Sequence, residues 1–190
     1  MASNEELKAR MDRAGEIGDI LERRLWVLAV ITEFLRPTGL KPVLVGGSAV
    51  AFYTAGGYST FDVDVIADSA ILGSAMSELG FVKRGRHWLR EELDISIEAP
   101  ATALVDGSDR LLELEIDDMT AYIVGIEDLI IDRLNACVHW QSAEDGRWAR
   151  HMMQMHTSGI DWDYVERRAS QEGVSEELAA IRGELAEGPQ

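Results

Sequence analysis

The stretch Val43-Leu-Val-Gly-Gly-Ser-Ala-Val50, followed by Thr60-Phe-Asp-Val-Asp-Val-Ile66, decides the fold of this chain. Its apolar start reads as a buried strand, which breaks at Gly46 and Gly47 because two glycines in succession interrupt a strand. A helix is then expected to begin at Ser48. Glycines let the backbone approach a ligand closely, and the N–H groups of a helix N-terminus together with the Ser48 hydroxyl suit a phosphate.

The second part of this stretch supplies negative charge. Side chains alternate along an extended strand, so Asp62 and Asp64 project from one face while Val63 and Val65 pack on the other. Two carboxylates about 7 Å apart, roughly two residue rises, can bracket a pair of Mg²⁺ ions, which bind carboxylate and phosphate oxygens. Such a pair of ions stabilises the attacking and leaving oxygens of a displacement at phosphorus.

A third carboxylate is expected from a later strand. Polar and apolar residues alternate along residues 92–98, which predicts a strand with four polar side chains on one face: Glu92, Asp94, Ser96 and Glu98. Asp94, flanked by apolar residues, is the expected third acid.

In their order and spacing these motifs resemble the nucleotidyltransferase superfamily with the polymerase-β-like fold. The segment Gly125-Ile-Glu-Asp-Leu-Ile-Ile-Asp-Arg-Leu-Asn-Ala136, followed by Glu144-Asp145, is similar to a helical element of its abortive-infection and toxin-type branch. The resemblance covers residues 42–153. It implies an α/β (α+β) fold with a small mixed sheet, flanking helices and a helical C-terminal extension.

The same resemblance implies the roles of individual residues. Gly46, Gly47 and Ser48 would hold the triphosphate of an NTP. Two Mg²⁺ ions would be bound by Asp62 and Asp64, and Asp94 would be the third ligand or the base that activates the acceptor.

Two positions depart from this branch. Arg133 stands where a lysine is usual. It keeps the positive charge expected for nucleotide binding, but it carries this charge on a planar guanidinium. Tyr58 or Ser59 stands where an arginine often precedes the first aspartate.

Composition limits the partners. A length of 190 residues with 46% hydrophobic and 27% charged residues is typical of one globular core with appendages. No apolar run approaches the roughly 18 residues of a membrane span, and the acidic N-terminus lacks a secretory signal, so a cytoplasmic location is expected.

A net charge of −16 disfavours binding of extended DNA. A local basic cluster, residues 83–87 with Arg90, either steers a polyanion or is a solvated turn.

The apolar pattern divides the chain into three segments. A helix over residues 5–35 makes an N-terminal segment, 1–36, and the α/β core follows over 37–125. Four helices are expected in the extension, 126–190. Cys137, the only cysteine, is expected to pack between helices.

The predicted function is Mg²⁺-dependent transfer of a nucleoside monophosphate from an NTP to an acceptor hydroxyl. Three hypotheses about the acceptor stay open. The chain is a toxin or defence enzyme acting on an RNA end or a protein, a small-molecule enzyme similar to those that modify aminoglycosides, or a non-catalytic interaction protein. A partner protein or a homodimer is compatible with each of them.

Overall fold

The computed structural model describes residues 2–102 and 110–187. Its contacts divide the chain into two compact units, Met1–Val124 and Gly125–Gln190. The first unit contains a sheet with helices and includes residues 1–36, which the sequence sets apart, whereas the second is helical. Helices combined with a mixed sheet confirm the predicted α/β (α+β) class. Within the described ranges, no helix has both the length and the apolarity needed to cross a membrane.

The sheet of the first unit has seven strands among the described residues. They are β1 Val43–Leu44, β2 Asp62–Ile66, β3 Val82–Arg84, β4 His87–Arg90, β5 Ile95–Ala101, β6 Leu111–Ile116 and β7 Met119–Val124. Their order is β3-β4-β5-β2-β1-β7-β6. The sheet is mixed because β1 is parallel to β7 and β2 is parallel to β5, whereas the other neighbouring pairs are antiparallel. The strand with the paired aspartates therefore lies in the interior of the sheet.

The N-terminal segment forms two helices, α1 Asn4–Arg13 and α2 Ile20–Leu35. The expectation of one continuous helix over residues 5–35 was wrong. A 3-10 turn at Ala14–Glu16 follows α1, and the Asp19 carboxylate caps α2 by accepting a hydrogen bond from the Glu22 N–H. Nearly all of α2 after its first turn is buried, which ties it to the core of the first unit.

Two further helices belong to the first unit, α3 Gly46–Tyr53 and α4 Ser69–Glu78. Helix α3 begins at Gly46, two positions before the expected start. The second unit has α5 Ile126–His139, α6 Ala143–His156, α7 Trp162–Glu172 and α8 Ser175–Glu187 within the described residues. Its core combines aliphatic residues with the buried methionines of α6.

The strand predicted over residues 92–98 begins later than expected. Glu91–Leu93 is a 3-10 turn, and β5 runs over Ile95–Ala101. Asp94, between them, has a φ of +54°. Aspartate is one of the few residues that adopt this left-handed conformation at modest cost, so the chain turns here before it becomes extended. Asp94 therefore lies at the bend before β5 and not on the polar face of the strand.

Candidate active site

Gly46 brings the start of α3 against the strand that carries the aspartates. The backbone N–H of Val45 donates to the Asp64 carbonyl at 3.0 Å, and α3 begins at the next residue. Gly46 has a φ of +60°, and a Cβ atom added there would lie 2.6 Å from Oδ2 of Asp64. A side chain at this position would thus occupy the space beside the carboxylate. Only glycine allows the helix to start so close to Asp64.

Gly47 is packed as tightly, against the loop before β2. A Cβ atom on Gly47 would lie 2.8 Å from Cε1 of Tyr58 and 3.1 Å from the Thr60 side chain. Tyr58, at one of the two positions where an arginine often stands in the resembling branch, therefore lies against the glycine pair. The N-cap residue of α3, Val45, makes no side-chain hydrogen bond to the first turn of the helix. The backbone N–H groups of this first turn are suited to binding an anion.

Ser48 has a role that its position in the sequence does not reveal. The residue is fully buried, and its hydroxyl donates to the carbonyl of Asp62 at 2.9 Å. The hydroxyl thus links α3 to the first residue of β2. In this arrangement, contacts of residues 46–48 with a triphosphate would come from backbone N–H groups, while Ser48 positions Asp62.

The aspartates face an acid on the neighbouring parallel strand. In the register of β2 and β5, Asp62 is paired with Ser96, and Asp64 with Glu98. Paired residues of neighbouring strands project from the same face of a sheet, so Asp62, Asp64 and Glu98 share one face. The Glu98 side chain is 13% exposed and that of Asp62 is 42% exposed. The structure thus brings Glu98 to the position at which the sequence expected Asp94.

His87 joins this face from β4. Its Nδ1 atom lies 3.6 Å from Oδ1 of Asp62 and 3.9 Å from Oε2 of Glu98, and the Ser96 hydroxyl lies 3.4 Å from the same nitrogen. One imidazole therefore contacts acids from two strands. Sequence reasoning missed both Glu98 and His87 as site residues. The alternation of residues 92–98 included Glu98, but only the strand register selects it.

The basic cluster over residues 83–87 with Arg90 is largely neutralised within the first unit. Arg86 pairs with Glu98 at 3.2 Å, and Arg84 pairs with Glu91 at 3.1 Å. The Arg90 guanidinium contacts Asp12 and Glu92, and the Lys83 ammonium lies over the Trp88 ring at 5.3 Å. These partners favour the interpretation of the cluster as local ion pairs over a surface for a polyanion.

Arg133 lies on α5 in the second unit. Its NH1 atom donates to Oδ1 of Asp145 at 2.7 Å, and its Nε atom donates to Oδ2 of Asp132 at 3.0 Å. The guanidinium is thus bound by two acids of the helical unit. The contact between Arg133 and a nucleotide stays a prediction.

Residues 25–182 match the model of a protein family described as nucleotidyltransferase of unknown function (DUF6036). The chain belongs to this nucleotidyltransferase family. Among solved structures it is similar to an antigenic nucleotidyltransferase-like protein from Paracoccidioides brasiliensis, with a TM-score of 0.53 and 13% identity over 90% of this chain and 93% of that chain. At this identity the likeness concerns the fold alone. No curated protein matches the chain. The predicted nucleotidyltransferase resemblance is confirmed at the level of the family.

The donors of this nucleotidyltransferase-family chain fit Mg²⁺. Among the described residues, no three histidine, cysteine or acidic side chains converge as a complete metal site. Mg²⁺ does not require one, because it is commonly held by one or two carboxylates, with water and substrate phosphates completing the octahedron. Asp62 and Asp64 provide such oxygens, and the missing side chain of Gly46 leaves space beside Oδ2 of Asp64.

Proposed function

We propose that this chain is a Mg²⁺-dependent nucleotidyltransferase that transfers a nucleoside monophosphate from an NTP to an acceptor hydroxyl. The observation that carries the proposal is the approach of Gly46 to the Asp64 carboxylate, with 2.6 Å between an added Cβ and Oδ2. This approach puts the uncapped first turn of α3 beside the acidic face of β2. An anion site next to a cation site suits a nucleoside triphosphate accompanied by divalent ions.

Each element of the site has a role in this proposal. The N–H groups of residues 46–48 would bind the triphosphate, and Asp62 and Asp64 would hold the cations. When bound, two Mg²⁺ ions would neutralise charge on the phosphates and on the attacking and leaving oxygens. Glu98 would be the third carboxylate, either a ligand or the group that accepts the proton of the acceptor hydroxyl. Asp94 remains the alternative for that role.

Positioning and charge account for most of the rate in such a site. Transfer at phosphorus requires little covalent chemistry from the protein, so fixed donors and acceptors at the right distances do most of the catalysis. The hydrogen bond from Ser48 to the Asp62 carbonyl and the tight packing of Gly47 against Tyr58 would serve this purpose. The bond from the α-phosphorus to the acceptor oxygen would form as pyrophosphate leaves.

The acceptor in this proposal is a hydroxyl on an RNA end or on a protein, as in toxin-type or defence enzymes, in the cytoplasm. A second candidate, a polycationic small molecule resembling an aminoglycoside, is favoured by the net charge of −16. Two cell-based comparisons separate them. The first acceptor class predicts growth inhibition on expression, relieved by Asp62→Ala, and the second predicts drug resistance that the same change removes.

Calorimetric titration with each of the four NTPs, with and without Mg²⁺, tests the donor site before the acceptor is known. The wild type is compared with the Asp62→Ala/Asp64→Ala variant and with a control, Glu113→Gln/Glu115→Gln, which removes two exposed acids from β6. Mg²⁺-dependent binding that only the site variant loses supports the proposal. A folded wild type that binds no NTP supports instead a non-catalytic interaction protein, alone or with a partner or second copy.

A further inference from the structure

Two consecutive arginines on α2, Arg23 and Arg24, donate hydrogen bonds to backbone carbonyls that lie just before Asp94 and Asp62. The NH2 atom of Arg24 donates to the carbonyl of Thr60 at 2.7 Å and to that of Phe61 at 3.3 Å. The NH1 atom of Arg23 donates to the carbonyl of Leu93 at 2.9 Å. Phe61 directly precedes Asp62, and Leu93 directly precedes Asp94.

Further interactions restrict the side chains of both arginines. Arg23 donates from Nε and NH2 to the carbonyl of Ile17, at 3.0 and 2.8 Å, in the turn that precedes α2. Arg24 is only 7% exposed, and the residues that follow it in α2 are buried almost without exception. The hydrogen bonds of Arg23 and the burial of Arg24 therefore restrict the movement of both guanidinium groups. A planar guanidinium with several N–H donors can bind two carbonyls, whereas an ammonium would bind fewer.

The burial of Arg24 has an energetic cost that its hydrogen bonds only partly offset. Its Nε atom is buried and lacks a hydrogen-bond partner in the described part of the chain. Burial lowers the pKa of Arg24 from its ordinary value, while the negative charges of Asp94 and Asp62 oppose this effect. Burying a cation with an unmade hydrogen bond costs free energy, and in some proteins such a group fixes one specific arrangement of its neighbours. Here that arrangement includes both aspartates.

We propose that Arg23 and Arg24 form a positioning pair, in which α2 holds the backbone that leads into Asp62 and Asp94. Arg24 fixes the loop before β2, and Arg23 fixes the turn before β5. The pair deepens the proposed function, because Asp62 belongs to the proposed nucleotide site and Asp94 is the alternative third carboxylate.

Local hydrogen exchange in the protein without cation or nucleotide tests the positioning directly. Arg24→Met is expected to raise amide exchange over residues 60–64 by about tenfold, the effect of losing a hydrogen bond to a charged donor. Arg23→Met is expected to do so over residues 93–97. Arg10→Met, on α1, is the control, because the Arg10 guanidinium pairs with the exposed carboxylate of Asp118 and, within the described residues, with no backbone carbonyl. Uniform acceleration throughout the first unit, or none at these two segments, would overturn the proposal.

Mn²⁺ affinity, measured by electron paramagnetic resonance, separates position from charge. If Arg24 acts through position, Arg24→Met weakens Mn²⁺ binding, and Arg24→Lys restores part of it because the ammonium can still donate to Thr60. If Arg24 acts through charge alone, Arg24→Met removes a repelling cation and tightens binding, which would contradict the positioning pair. Arg24→Lys also serves if Arg24→Met does not fold. If the wild type binds no Mn²⁺ even when NTP is present, while the two Met variants still show their local exchange effects, the proposed function is refuted and the positioning pair stays intact.

Discussion

Gly46 and Asp64 approach so closely that a Cβ atom on the first would lie 2.6 Å from Oδ2 of the second. Gly46 also has a φ of +60°, which costs about 1–2 kcal/mol for a residue with a side chain. Gly46→Ala must therefore displace either the carboxylate or the start of α3. We expect a fall in the free energy of unfolding larger than the backbone cost, together with loss of Mg²⁺-dependent NTP binding, measured by denaturant titration and calorimetry.

Gly39→Ala is the matched control for this change. Gly39 has a φ of +75°, but a Cβ atom there would meet nothing within 4 Å. The control therefore adds the same backbone strain without a collision, and it should lose stability while keeping nucleotide binding. Equal effects of the two variants on binding would show that strain, and not the approach to Asp64, controls the site.

Ser48 is expected to act through Asp62. Ser48→Ala removes a buried donor to the Asp62 carbonyl, and Thr54→Ala removes a comparable buried hydroxyl, which donates to the Val50 carbonyl at 2.7 Å. Each change should lower the free energy of unfolding by about 1–2 kcal/mol. Only Ser48→Ala should weaken Mg²⁺ binding in calorimetry, because the Ser48 hydroxyl bonds to β2 whereas the Thr54 hydroxyl bonds within α3. Weaker NTP binding at unchanged Mg²⁺ affinity would indicate direct contact of the hydroxyl with the triphosphate.

Glu98 and Asp94 compete for the role of third carboxylate. Glu98 is paired with Asp64 in the sheet, whereas Asp94 lies at the bend before β5. Glu98→Gln is therefore expected to reduce Mg²⁺-dependent NTP affinity more than Asp94→Asn, which keeps a residue that tolerates the left-handed conformation. Arg86→Met controls for the ion pair at 3.2 Å, since it removes the partner and keeps the Glu98 carboxylate. A larger effect of Asp94→Asn would restore the sequence-based assignment.

The parts of the fold that depend on local pattern could be predicted from the sequence. Two glycines after an apolar run, and aspartates alternating with valines, each specify their own backbone, so the strand and the shared face of Asp62 and Asp64 follow from neighbouring residues. The start of α3 was expected two positions too late. The break at Asp19 was missed because the apolar spacing continues through it. The capping hydrogen bond from Glu22 to Asp19, not hydrophobicity, separates the two helices.

The parts of the site that depend on distant pairing could not be predicted. Alternation along residues 92–98 does not show which acid faces Asp64, because a register between two strands is set by the whole sheet. The contact of Arg24 with Thr60 joins residues that are far apart in the sequence, and no spacing rule connects them. Two adjacent arginines on a largely apolar helix are the one sequence signal that would have directed attention there.

Cys137 is expected to react slowly with alkylating reagents. Burial raises the pKa of its thiol above the ordinary value, and the Glu177 carboxylate, whose Oε1 lies 3.7 Å from Sγ, raises it further. A raised pKa means less thiolate at a given pH, and the thiolate is the nucleophile. Its rate with iodoacetamide at pH 8 should therefore be well below that of glutathione and should keep increasing as the pH is raised further. Glu177→Gln removes the negative charge, so it should lower the pKa and accelerate the reaction at pH 8. A rate equal to that of glutathione, unchanged by Glu177→Gln, would contradict this account of the thiol.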